Sequence, residues 1–223
     1  MKILDLFCCI GGSARGIKKA FPNADLLGID VVDYSKSYPF RFMRLDITKL
    51  SFYLIDSMNM NLIWASPPCQ NYSFSTRKAK NDGIIYPDLV EFTRNLLDQT
   101  HLPYVIENVV GSPLIKEKTI LLYGDMFNIP TKRPRKFEIH GIDISKIELP
   151  KRNRSLENYR LISGGGGWIR EGENVKRMTL EMVKELYGIE DVTMKEASQI
   201  VIPQMAEFIM NQFKIQLFNN KEI

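Results

Sequence analysis

Along the first 125 residues, short apolar runs alternate with stretches whose apolar positions keep helical spacing. KILDLF ends at a glycine-rich turn and reads as a first strand, and SARGIKKAF follows as a helix with Ser13 as its N-cap. LLGID reads as a second strand closing on an acid, FMRLDI as a third, and NLIWA as a fourth that runs into a Pro-Pro turn. PDLVEFTRNLLDQT carries apolar residues at Leu89, Val90, Phe92, Leu96 and Leu97, the stripe of an amphipathic helix. YVIEN is then a fifth strand, with an acid at its end. Strands alternating with helices predict an α/β fold with a Rossmann-like, doubly wound, mostly parallel sheet. Ligands of such sheets gather at the carboxyl ends of the strands. Asp30, Asp46, Cys69 and Glu107 stand at or near those ends.

The pattern breaks after Met126. Residues 127–178 are rich in Pro, Arg, Asn and Gly, include the tract GGGGW at 164–168, and show no core-facing periodicity. They predict a small irregular insertion. TLEMVKELYG restores a helix, with Gly188 as its C-cap. KEASQIVIPQMAEFIMNQFKIQLF predicts a short helix, a kink at Pro203 and a final helix. The expected organisation is therefore a catalytic body (1–126), an insertion (127–178) and C-terminal helices returning to the body (179–223).

Composition narrows the function classes. A chain of 223 residues is long enough for one domain with a full core. No run of 18 apolar residues occurs, and MKILDLFCCIGG lacks the apolar core of a signal peptide. No membrane partner is expected. Three cysteines, two of them adjacent, and two histidines (His101 and His140) argue against a disulfide framework and against a metal site. A reduced, cytoplasmic protein is expected. The net charge of +4 is unevenly spread: residues 131–184 hold 13 Lys and Arg against 7 Asp and Glu, and the remainder is slightly acidic. That segment is either a solvated basic loop or the contact for a polyanion.

Two stretches carry candidate chemistry. In SPPCQNYSFS (66–75), two prolines stiffen a strand end directly before Cys69, which is either a small buried hydrophobe or a nucleophile on a fixed support. DLFCCIGGSARG (5–16) is a glycine-rich turn between strand and helix, and Asp30 lies where a carboxylate can hold ribose hydroxyls. Neither spaced phosphate-cradling glycines nor a Gly-Lys-Ser/Thr is present, which favours an adenosyl cofactor without a pyrophosphate.

Together these stretches resemble the cytosine-C5 DNA methyltransferase family. DLFCCIGG resembles its Asp-Leu-Phe-x-Gly-x-Gly-Gly motif and SPPCQNYS its Pro-Cys-Gln nucleophile motif. ENV (107–109) matches Glu-Asn-Val, RPR (133–135) matches Arg-x-Arg, and IVIPQMAEFI resembles the last motif. All stand in the family's order, and the chain is similar to the compact versions found in phages. Cys9 occupies a usual glycine position, no Gln precedes the Arg-x-Arg pair, and Gln199–Ile200 replace the usual Gly-Asn.

The resemblance implies a class I methyltransferase fold, S-adenosyl-L-methionine as cofactor, and a monomer acting on a flipped-out cytosine of double-stranded DNA. RNA is the alternative target, and a nucleic-acid-binding protein on a decayed methyltransferase fold is the reading from another class. Cys69 would add to C6 of the base, Glu107 would contact N3 and Arg135 O2, and Arg133 would brace Glu107 or the substrate backbone. Phe7, Gly11, Gly12, Asp30, Asp46, Ile47 and Pro68 would form the cofactor site. Gln70, Ser73, Arg77, Lys78, Lys80 and Asn108 would meet the substrate, and residues 127–178 would read the target. An aromatic residue replaces this cysteine in the related amino-methylating enzymes, so a carbon target is implied.

Overall fold

The computed structural model describes residues 1–73, 76, 80–156, 158–163, 166–171, 173–177, 179–190 and 192–218. Its main sheet contains β1 (Lys2–Leu6), β2 (Asp25–Asp30), β3 (Arg41–Arg44), β4 (Leu62–Ala65), β5 (Tyr104–Asn108), β6 (Thr119–Leu122) and β7 (Arg135–His140). The order across the sheet is β3-β2-β1-β4-β5-β7-β6; β7 is antiparallel to both neighbours, and β1 to β5 are mutually parallel. The chain leaves β1 toward β2 and later returns on its other side as β4. This switch point opens a crevice beyond the carboxyl ends of β1, β2, β4 and β5.

Strand alternation builds a core on each face. Ile3, Leu62, Trp64 and Val105 point to one side, where α1 (Gly12–Ala20) and the last helix, α6 (Pro203–Phe213), pack. Leu4, Leu6, Ile63 and Ile106 point to the other, against α2 (Phe52–Ser57) and α3 (Val90–Asp98). Both faces are covered, so the central strands are mostly apolar, with Asp5 of β1 and Glu107 and Asn108 of β5 as buried polar exceptions. Between α3 and α6 the chain adds α4 (Leu180–Tyr187) and α5 (Met194–Gln199). Among the described residues, no helix is long and apolar enough to cross a membrane.

Several expectations need correction. The N-cap of α1 is Gly11, at φ 78°, and Ser13 lies inside the helix with its hydroxyl on Asp5. Of FMRLDI (42–47) only the first three residues are strand, since β3 spans Arg41–Arg44. α2 gave no usable periodicity because it has only six residues; Ser51 caps it. The boundary expected at 126 falls between β6 and β7, both of which belong to the main sheet. The insertion is not irregular throughout: β8 (Asn158–Ser163), β9 (Gly166–Glu171) and β10 (Asn174–Arg177) form a three-stranded antiparallel sheet in the order β10-β9-β8. Pro203 does not kink a helix but opens α6, after an extended linker at Ile200–Ile202. Its missing N–H costs nothing at that position.

Candidate active site

The turn after β1 is held in a conformation that side chains rarely adopt. Phe7 (φ 57°) and Cys9 (φ 47°) are both left-handed, at a typical cost of ~1–3 kcal/mol each. The left-handed backbone is the physical reason a glycine suits position 9. Cross-links fix the turn: Cys8 N–H donates to the Ile29 carbonyl (3.3 Å), Cys9 N–H to Asp30 Oδ2 (3.0 Å) and Gly11 N–H to the Cys8 carbonyl (2.9 Å). Beneath it Asp5, fully buried, accepts from the Ser13 hydroxyl (3.1 Å to each oxygen) and from the Tyr38 hydroxyl (3.2 Å). Burial pushes the Asp5 carboxyl up to about 7.

Asp30, at the end of β2, is also raised by burial, against hydrogen bonds from the N–H groups of Val32, Cys9 and Val31. Oδ1 takes Val32 N–H at 3.0 Å and Oδ2 takes Cys9 N–H. A carboxylate offers about four lone-pair sites, so after these three N–H groups capacity remains for a hydroxyl donor. Val31 and Val32 beside it are 56% and 51% exposed, an apolar shelf on the cavity that Phe7 also lines.

The second half of the site hangs from β4, β5 and β7. Ser66 N–H donates to the Leu6 carbonyl (3.1 Å) and ties the Pro-Pro turn to β1. The Cys69 carbonyl then accepts from Tyr72 N–H (2.9 Å) and Ser73 N–H (3.0 Å), closing a turn around the thiol. Glu107 in β5 is 6% exposed and pairs with Arg135 Nε at 3.0 Å. Burial raises its carboxyl, opposed by the charges of Arg135 and Arg133 and by a hydrogen bond with Ser66, which also accepts from Trp64 Nε1 (2.9 Å). Burial likewise raises the Cys69 thiol, with Arg135 pulling it down and Glu107 up. Burial thus favours the neutral forms of both groups, and Arg135 opposes it at each.

These groups face one open cavity of ≈ 290 Å³, near the lower end of the roughly 300–1,000 Å³ usual for small-molecule sites. Of the residues expected from sequence, Phe7, Gly12, Asp30, Pro68, Cys69, Gln70, Glu107 and Arg135 line it. Tyr34, Ser66, Val31 and Val32 line it without having been singled out; two valines directly after a strand-end acid were the signal that could have found them. Gln199, Ile200 and Val201 close it from the C-terminal segment.

Other expected residues have different duties. Gly11 packs against Tyr38 and Pro39 outside the cavity. Asp46 caps a short turn by accepting from Thr48 N–H (3.0 Å) and its hydroxyl (2.8 Å), and Ile47 is buried in the core, so neither reaches the cavity. Asn108, buried, clamps the Pro-Pro turn before Cys69: its Nδ2 donates to the Pro67 carbonyl at 2.9 Å and its Oδ1 accepts from Val109 N–H. Ser73 lies outside the lining, and Lys80 Nζ donates to the Asn71 carbonyl (2.6 Å). Arg77 and Lys78 lie outside the described residues.

Arg133 does not touch Glu107, which pairs with Arg135 instead. Its guanidinium donates to the carbonyls of Ser198 and Ile200 (2.8 Å each) and sits over the Tyr187 ring, 5.6 Å from the centroid. It thus ties the Arg-x-Arg loop to the segment that closes the cavity.

No protein-family model and no curated protein matches the sequence. Solved structures do match in three dimensions. The Entamoeba histolytica methyltransferase EhMeth superposes with a TM-score of 0.68 at 18% identity, spanning 100% of this chain and 99% of that one. The S. pombe Dnmt2 methyltransferase gives 0.63 at 16% identity, over 96% and 98%. The chain has a class I methyltransferase fold. Likeness at this identity extends along the whole chain, including the small sheet and the C-terminal helices.

Proposed function

We propose that this chain methylates C5 of cytosine in DNA, using S-adenosyl-L-methionine and a covalent adduct to Cys69. The observation that carries the reading is the convergence of Cys69, Glu107 and Arg135 on the same cavity as Phe7 and Asp30. The cavity's lining suits the cofactor: an apolar shelf for adenine, a carboxylate with remaining acceptor capacity for a ribose hydroxyl and, among the described residues, no cluster of basic groups that would call for phosphates. Once bound there, S-adenosyl-L-methionine supplies an electrophilic methyl group on a sulfonium.

The protein's own part concerns the base. C5 of cytosine is a weak nucleophile until C6 is attacked, so Cys69 adds to C6 and loses its thiol proton to solvent as the C–S bond forms. Electron density then moves toward N3 and O2. Glu107, held toward its protonated form by burial, donates to N3; Arg135, already fixed by Glu107, donates to O2. After methyl transfer, water removes the C5 proton and the Cys69–C6 bond breaks, which restores the ring. The reacting edge is closed inside a duplex, so the target base must be extruded or unpaired. Lys80 on the loop after Cys69, and the basic segment 127–178, are the residues we assign to the nucleic acid, with the chain acting as a monomer.

Nucleoside mass spectrometry on DNA and RNA from cells expressing the chain tests this, beside Cys69→Ser. The expected product is 5-methyldeoxycytidine, lost in Cys69→Ser. A Cys69-dependent 5-methylcytidine in RNA alone would move the same chemistry to RNA. Product retained in Cys69→Ser would refute the covalent route.

A further inference from the structure

Among the described residues of the tract GGGGW, none lines the cavity that holds Cys69. Its described end, Gly166–Trp168, enters β9, the middle strand of the small sheet. Neighbouring side chains on a strand point to opposite faces, and β9 divides sharply. Ile169 is 5% exposed and belongs to the main core, whereas Trp168 is 42% exposed. The register sets Arg177 of β10 directly opposite Trp168, and places Val175, 54% exposed, two residues along on the same face. All four residues of β10 are exposed.

Basic residues on an edge strand guard it against pairing with other sheets, and that accounts for the charge on β10. It does not account for a tryptophan directed outward from the central strand. An exposed indole beside a guanidinium suits a nucleic-acid strand: bases stack on aromatic rings and cations hold phosphates. The excess of six positive charges over residues 131–184 agrees in sign. Location agrees too. α5 packs against β8 and β9, and its last residue, Gln199, lines the catalytic cavity.

We propose that the outward face of β9 and β10 is a nucleic-acid contact surface, with Trp168 stacking on an unpaired base near the target and Arg177 holding a flanking phosphate. The assignment rests on the reading of the substrate as a nucleic acid.

Of the two tryptophans, Trp64 is fully buried, so fluorescence quenching by an added oligonucleotide reports on Trp168. The full chain is titrated with cytosine-containing single-stranded and duplex oligonucleotides of DNA and of RNA, while a labelled copy follows binding by anisotropy. Saturable quenching is expected. Trp168→Ala should bind roughly 10- to 100-fold more weakly, Trp168→Phe should bind close to the parent, and both should bind S-adenosyl-L-methionine as the parent does. Quenching without methylated product would keep this surface while the methyl-transfer reading fails. Methylated product with Trp168→Ala binding unchanged, or tight binding with no quenching, would overturn the surface and leave that reading standing. An absence of binding to every oligonucleotide would overturn the surface as well.

Discussion

Burial controls the protonation of the groups that matter here, because each titratable side chain at the centre of the site has lost most of its water. Glu107 is tuned in two directions: burial favours the neutral acid, while the Arg135 guanidinium at 3.0 Å favours the anion. A hydrogen-bonding role at N3 predicts that Glu107→Gln lowers kcat by about 10²- to 10³-fold, as does removal of a donor at a developing charge, with cofactor affinity unchanged by calorimetry. Loss of cofactor binding would disprove that role. Asp5 gives a stability prediction. Its carboxyl is raised from 3.8 to about 7, so the folded state retains a proton that the unfolded chain releases. That contribution is complete below pH 3.8, declines as pH rises, and is gone above about 7. Thermal denaturation between these limits should show stability falling by up to ~1.4 kcal/mol per pH unit, and Asp5→Asn should flatten the dependence.

At the scale of elements, α6 and the Ile200–Val201 segment that closes the cavity pack closely on α1 because Gly12 and Gly16 carry no side chain there. A Cβ on Gly16 would stand 2.0 Å from the Pro203 carbonyl oxygen, and one on Gly12 would stand 2.4 Å from that of Val201. Overpacking of this kind costs about 1–3 kcal/mol or more, so Gly16→Ala should lower the denaturant midpoint accordingly. Arg133 secures the same segment by charge-assisted hydrogen bonds. Burial lowers its own pKa, and no acidic side chain pairs with it among the described residues. Hydrogen bonds to charged groups contribute ~1.5–3 kcal/mol. Arg133→Met should therefore weaken S-adenosyl-L-methionine binding about tenfold or more, with a smaller change in kcat at saturation, as measured by calorimetry and initial rates. A fall in kcat with unaltered cofactor affinity would place Arg133 at the chemistry instead.

Across the whole molecule, one buried ion pair joins the helical layer to the antiparallel part of the sheet. Glu138 of β7, with no exposed surface, takes both Nε and Nη2 of Arg94 from α3 at 2.8 Å, along with Ile115 N–H at 2.8 Å and His140 Nε2 at 2.9 Å. Burial works against the Glu138 charge, but these bonds outweigh it and hold the carboxyl down to about 2. Removing one partner leaves a buried charge poorly compensated, so Arg94→Met should cost about 3–5 kcal/mol in equilibrium unfolding. The same strand carries Arg135 into the cavity. That variant should therefore also slow turnover in proportion to the population that keeps β7 in place.

The sequence by itself determined the parallel strands, the strand-end acids and the stiff Pro-Pro turn before Cys69. Each rests on local physics: apolar runs that tolerate burial on both faces, and prolines and glycines that restrict or free φ. Motif order brought Glu107 and RPR to one site but assigned Arg133 to brace Glu107 or the substrate backbone, whereas the structure pairs Glu107 with Arg135. Only the tertiary structure decided which nearby residues reach the cavity. Asp46 lies two residues beyond the end of β3 and turns into a cap, and Asn108 spends its amide on the Pro67 carbonyl. Arg133 spends its guanidinium on carbonyls 65 and 67 residues away. Such long-range partners leave no periodic trace in a chain, because neither residue type nor spacing encodes which distant backbone will arrive beside a side chain.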